Sequence, residues 1–342
     1  MHAVSRRHLL AGAAGLTAAT MTGGRFALGQ EDQPPVLAAT PEVSGLAVEF
    51  PAGVLPTMYG DIEIPEKVET VIAITDGAVD AVLAVGLQPA GVTRSSNGAT
   101  VAEYLLDRID PAVVYVGGWD ELDLELIVSL GPDVILADRY LPADQYEPLA
   151  QIAPTFATGE IAVALDDVEG LQQWEYEVLA WAHVLGRTAE ATAAIEEARA
   201  RAAGIAGQIG DRAGSSVVVF RPQAEFPVVM SNAWITGRVL SWSGLTGNDL
   251  TLELEPPHSG RNISLEQLDL LNADWLLAAA RDAEMVDALQ SYLEMPLFQQ
   301  IDAVQNDQVE LVDGALWSGS TGILASHALM DDIEAIFVTG AR

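Results

Sequence analysis

From Glu49 onward, short and nearly continuous apolar runs alternate with stretches of helical period. "ETVIAIT" (69–75) predicts a buried strand, and "DGAVDAVLAVGL" (76–87) a helix with Asp76 near its start and Gly86 at its end. "PAGVT" (89–93) and "AVVYVG" (112–117) predict two further strands. "LDLELIVSLG" (122–131) predicts a helix stopped at Gly-Pro, and "PDVILA" (132–137) a fourth strand. Strands that are apolar on both faces and separated by helices imply parallel sheets covered on both sides.

The middle of the chain has a different rhythm. From Asp166 to about Gly210 it reads as helix almost throughout, with Leu171, Trp174, Val178, Trp181 and Leu185 forming one apolar stripe. Alternation then resumes with "SSVVVF" (215–220), a helix near 239–245, "NISLEQLDLL" (262–271) and "ADWLLAA" (273–279). A helix around 293–301, the strand "VELVD" (309–313) and a last helix from Ser326 to Phe337 follow. The pattern describes an α/β half, a helical spacer and a second α/β half.

The two halves share one local grammar. "DLELIVSLGPDVILADR" (123–139) and "SLEQLDLLNADWLLAAAR" (264–281) each open with a small or acidic residue and Leu-Glu. Each continues as a short amphipathic helix, turns at Gly-Pro-Asp or Asn-Ala-Asp, and ends a buried strand at an arginine. Glu125 matches Glu266, and Arg139 matches Arg281.

Ahead of this lies "SRRHLLAGAAGLTAATM" (5–21). A basic pair, a weakly apolar Ala/Gly segment and the small residues Ala27-Leu28-Gly29 make residues 1–29 a signal peptide, and Ser-Arg-Arg-X-Leu-Leu resembles the twin-arginine export signal. Residues 30–48 read as a flexible leader. The 342-residue chain carries 49 Asp and Glu against 16 Lys and Arg, a formal charge of −33 that disfavours nucleic acid and anionic membranes. With no cysteine there is no disulfide, thiolate metal site, thiol nucleophile or lipid-bearing N-terminal cysteine.

In "MYGDIEIPEKVETVIAIT", "LDLELIVSLGPDVILA", "EPLAQIAPTF", "NISLEQLDLLNADWLL" and "PLFQQIDAVQNDQVELVD" the chain resembles the ABC-importer substrate-binding proteins for ferric siderophores, haem and cobalamin. The resemblance implies two Rossmann-like α/β lobes, here 49–165 and 188–342, joined by one long connecting helix (166–187), with the ligand in the cleft between them. It implies a monomeric, exported capture protein, in a periplasm or on the outer face of the cytoplasmic membrane, with no cofactor of its own. By the same resemblance Glu125 and Glu266, one on each lobe, dock on arginines of the membrane permease.

Open α/β sheets bind ligands beyond the carboxyl ends of their strands. Arg94, Arg139, Arg221 and Arg281 each stand at such an end, and they suit an anionic ferric chelate whose iron stays with the siderophore. Tyr140, Trp234 and Trp317, with Trp119 and Trp242, are candidate cleft walls. His258 and His327 are the alternative, direct iron ligands. Cobalamin, haem and a neutral hydroxamate siderophore remain open as ligands. An exported enzyme is the remote alternative, because no nucleophile elbow, phosphate-binding loop or opposed carboxylate pair is visible.

Overall fold

The structure, a computed structural model, describes residues 48–95, 98, 100–118, 121–159, 171–254 and 260–340. The expected signal peptide, nearly all of the leader and the start of the connecting helix lie outside these residues, as do Trp119 and His258.

A small hairpin of β1 (Val54–Thr57) and β2 (Gly60–Glu63) precedes the first lobe. That lobe runs β3 (Val71–Ala73), α1 (Asp76–Ala84), β4 (Gly91–Arg94), β5 (Val114–Gly118), α2 (Leu124–Leu130), β6 (Val134–Ala137), α3 (Ala143–Ala150) and β7 (Thr155–Ala157). Its strands pair in the order β5-β4-β3-β6-β7, all parallel. Local signals set the helix ends. Thr75 Oγ1 accepts the N–H of Ala78 at the start of α1, and Asp123 Oδ1 accepts that of Leu126 at the start of α2. Gly131 takes φ 60° and turns the chain from α2 towards β6.

Helices α4 (Gln173–Val184) and α5 (Thr188–Ala206) form a packed pair, broken at Gly186 with φ 66°. The second lobe follows as β8 (Val217–Pro222), β9 (Pro227–Met230), α6 (Ile235–Trp242), α7 (Asp249–Glu253) and β10 (Gly260–Asn262). It continues through a 3-10 stretch (Leu265–Leu271) to β11 (Trp275–Ala280), α8 (Ala283–Leu293), α9 (Asp302–Gln305), β12 (Val309–Asp313), α10 (Gly314–Gly319) and α11 (Ile323–Ile333).

The second sheet, β10-β9-β8-β11-β12, differs from the expected parallel one. β8, β11 and β12 are parallel, while β9 and β10 run antiparallel. Residues 223–226 are too short a connection for a crossover, so β9 must fold back on β8. The expected helix around 293–301 is corrected too. Asp282 caps α8 by accepting from Met285, and α8 ends at Leu293; past Pro296 only a 3-10 turn forms at Phe298–Gln300. The last helix begins at Ile323, ahead of the expected Ser326, and passes into a π-helical turn at Glu334–Thr339.

One apolar core passes from the inner face of the first sheet to that of the second. Val71, Ala73 and Val134 lie at one side, Val217, Trp275 and Leu277 at the other, and α1, α4, α5, α6 and α11 supply the residues between. Each sheet's outer face has its own core, closed by α2 and α3 on the first lobe and by α8 and the 265–271 stretch on the second. The two lobes are also tied by a polar contact. Asp80, fully buried on α1, accepts the backbone N–H groups of Leu324 (3.0 Å) and Ala325 (2.8 Å) in the first turn of α11. Gly322, φ +131°, makes room: a Cβ there would stand 2.3 Å from Asp80 Cγ. No described helix is long and apolar enough to cross a membrane.

Candidate functional site

The carboxyl ends of β8 and β11 are neighbours in the sheet, and each delivers an arginine. Arg221 is half-buried, and its Nε is shut off from water without an acceptor among the described residues. Burial, with the Arg281 charge nearby, pulls its pKa below the usual guanidinium value. Arg281 follows β11, and its guanidinium donates to backbone carbonyls, Nη2 to Ser318 O at 2.9 Å and Nε to Gly314 O at 3.4 Å. Burial lowers its pKa as well, against the pull of Asp313 and Asp282. Among the described residues neither guanidinium has a carboxylate within ion-pairing distance. Two half-buried like charges with no carboxylate in contact among the described residues form a site that an oxyanion would relieve.

On the first lobe, Arg94 ends β4, is exposed, and stands over the Tyr115 ring at 5.5 Å. With Gly117, Gly118, Glu121 and Asp123 it lines a recess of about 410 Å³ at the strand ends. Arg139 departs from expectation as a free cation. Its Nη1 donates to Glu177 Oε1 on α4 at 2.5 Å, and its Nη2 to the Tyr140 hydroxyl at 2.7 Å, with the guanidinium 4.6 Å from the Tyr140 ring centroid. Burial pushes the Glu177 carboxyl up, to about 7, against the pull of Arg139 and Gln173. Arg139 is thus half of an internal ion pair that presents exposed Tyr140 at the lobe's edge.

Trp234 is the N-cap residue of α6, half-buried, with its indole N–H lacking an acceptor among the described residues. Trp242, two turns on, packs against Trp174 (6.2 Å between centroids) and under the Arg199 guanidinium (5.3 Å). Trp317, expected as a cleft wall, is instead fully buried in α10, its Nε1 donating to Asp332 Oδ2 at 2.7 Å. Apolar neighbours on α10 and α11 enclose it. His327 is half-buried on α11, 3.4 Å from an Arg201 nitrogen, and burial lowers its pKa.

Sequence reasoning passed over Arg238. It lies one turn after Trp234 on α6, half-buried, and its Nε too is closed off without an acceptor among the described residues. The Trp-x3-Arg-x3-Trp spacing of residues 234–242 was the signal available. Glu125 and Glu266 are both exposed, in the first turn of α2 and of the 265–271 stretch.

The periplasmic binding protein family matches residues 71–316. The achromobactin-binding periplasmic protein of Dickeya dadantii is 27% identical over 287 residues, covering 82% of this chain and 89% of its own. The Fe(3+) dicitrate-binding periplasmic protein of Escherichia coli is 27% identical over 279 residues, covering 82% and 88%. Among solved structures, Staphylococcus aureus SirA complexed with staphyloferrin B superposes with a TM-score of 0.71 at 22% identity, over 82% of this chain and 97% of that one.

Proposed function

The chain belongs to the periplasmic binding protein family, and on that premise we propose that it captures an anionic ferric siderophore outside the cytoplasm and delivers it to an ABC importer permease. The observation that carries this reading is the Arg221–Arg281 pair, two half-buried guanidinium groups at adjacent strand ends without a carboxylate partner among the described residues. Relatives named for achromobactin and ferric dicitrate support the ligand class. Citrate offers carboxylates, and the guanidinium fork matches a carboxylate with two parallel hydrogen bonds.

In this reading the two arginines hold the chelate's peripheral oxygens, the iron stays within the chelator, and the work is binding and delivery, without catalysis. Arg94 and Tyr140 face the ligand from the first lobe and Trp234 from the second. Glu125 and Glu266 offer one carboxylate per lobe to permease arginines, and the twin-arginine segment directs export. A neutral hydroxamate chelate or cobalamin would leave the arginine pair without an anion.

Calorimetric titration with ferric citrate, a ferric catecholate, a neutral ferric hydroxamate, haem and cobalamin tests the proposal. An anionic ferric chelate is expected to bind below about 1 μM, near −8 kcal/mol. Arg221→Ala and Arg281→Ala are each expected to weaken it by about 1.5–3 kcal/mol, the range for hydrogen bonds to charged groups. Binding confined to the uncharged ligands, or variants as tight as wild type, would overturn it.

A further inference from the structure

Helix α2 is packed on one side only. Ile127 is buried, and Leu126 and Leu130 lie with it against the outer core of the first lobe. On the other side Leu124 and Val128, one helical turn apart, are exposed. Glu125, three residues before Val128, shares that side, exposed and without an ion pair among the described residues. Topology places this face. Helix α2 follows β5 and so starts at the carboxyl edge of a parallel sheet. β10 runs antiparallel to β9, and β9 to β8, so β10 ends at the same edge as β8, and the 265–271 stretch with Glu266 starts from there. Both glutamates thus rise from the sheet edges that carry Arg94, Arg221 and Arg281. Their surroundings differ. Around Glu266 the exposed neighbours are Ser264, Gln267 and Asp269, while Leu265 and Leu270 pack against the second lobe's outer core. Leu252 is exposed on α7, but that helix starts at Asn248, whose Nδ2 donates to the Leu270 and Asn272 carbonyls at the far end of the stretch.

We propose that Leu124 and Val128 are an apolar anchor by which the first lobe seats on the permease, so that the two lobes dock unequally. The first docks by apolar contact around an ion pair, the second by an ion pair alone. The inference rests on the delivery reading above and deepens it. The partner it fits is a permease surface that sets an arginine among apolar side chains, complementary to Glu125 and its two neighbours. An exposed ion pair stays largely solvated and contributes little, whereas desolvated apolar contacts near the centre of an interface carry most of the affinity. The first lobe therefore holds the complex, and the second sets its orientation.

The test measures binding of the full binding protein to its importer in lipid nanodiscs, by biolayer interferometry at two salt concentrations. Leu124→Gln with Val128→Gln, both good helix formers, is expected to weaken binding by about tenfold with unchanged salt dependence. Glu266→Gln is expected to weaken it by about twofold to fivefold and to flatten the salt dependence. Val128→Gln alone serves if the double variant fails to fold. Leu252→Gln, an exposed apolar loss away from both glutamates, is expected to change nothing, and a loss equal to the double variant's overturns the inequality of the lobes. Binding unchanged in the double variant while Glu125→Gln weakens it overturns the apolar anchor alone. A wild-type dimer in sedimentation that the double variant abolishes gives the face to a second copy and overturns the anchor too. A wild type that the importer does not bind overturns the delivery reading itself.

Discussion

Asp80 and Glu177 are both carboxylates taken wholly out of water, and their partners differ. Glu177 has a guanidinium and an amide, whereas Asp80 has two backbone N–H groups at the start of a helix from the other lobe. Burial lifts the Asp80 pKa to about 7, against those hydrogen bonds. Its neighbour Tyr104 is pushed far above its usual value by burial, Asp80 and Asp76, and stays neutral in this range. The unfolded carboxyl titrates near pH ~3.9, so folding takes up a proton between about pH 4 and 7. Asp80's contribution to stability therefore falls as pH rises through that window and is flat above it. Asp80→Ala strands the N–H groups of Leu324 and Ala325, and is expected to destabilise the protein by about 1–3 kcal/mol at pH 5. The gap to wild type should narrow towards pH 7 by at most ~1.4 kcal/mol per pH unit, read from urea unfolding at a series of pH values. Parallel pH profiles for the two proteins would refute this.

At the scale of elements, boundaries set by neighbours along the chain were readable. Asp123 before α2 and Gly131 after it announce themselves, and so does the buried run of β6. Helix α8 was missed although Asp282 caps it and Met285, Ala288, Leu289 and Tyr292 recur at helical spacing. The antiparallel β9–β10 edge was missed because strand direction is a property of pairing, absent from an apolar run alone. Glu125 and Glu266 sit in equivalent helical turns ahead of β6 and β11, exposed and without ion pairs among the described residues. Charge reversal at both, Glu125→Lys with Glu266→Lys, is expected to abolish uptake by a reconstituted importer while ferric citrate affinity stays within about twofold, because exposed charges are screened by salt. A matching loss of affinity would remove them from permease docking.

For the whole molecule, the continuous core through α1, α4, α5, α6 and α11 makes the lobes energetically one body. Scanning calorimetry of the ligand-free protein is expected to give a single unfolding transition, since neither lobe can expose its inner face without the other. Two resolved transitions would show that the lobes unfold separately. The formal charge of −33 surrounds a site built from cations, and short screening lengths let the nearby guanidinium groups govern an anionic ligand.

The sequence by itself determined the alternation of strands and helices, the two-lobed α/β organisation, the arginines at strand ends and the matched glutamates. These follow from periodicity, capping residues and repeated grammar, all of which act within a few residues. Only the tertiary structure decided which charges are answered. Arg139 meets a carboxylate 38 positions away, and Asp80 meets a helix start 244 positions away. Arg221, Arg281 and Arg238 meet no carboxylate among the described residues. An arginine reads the same in sequence whether it is paired, solvated or waiting for a ligand. Its desolvation and its counterion are set by what the fold brings beside it.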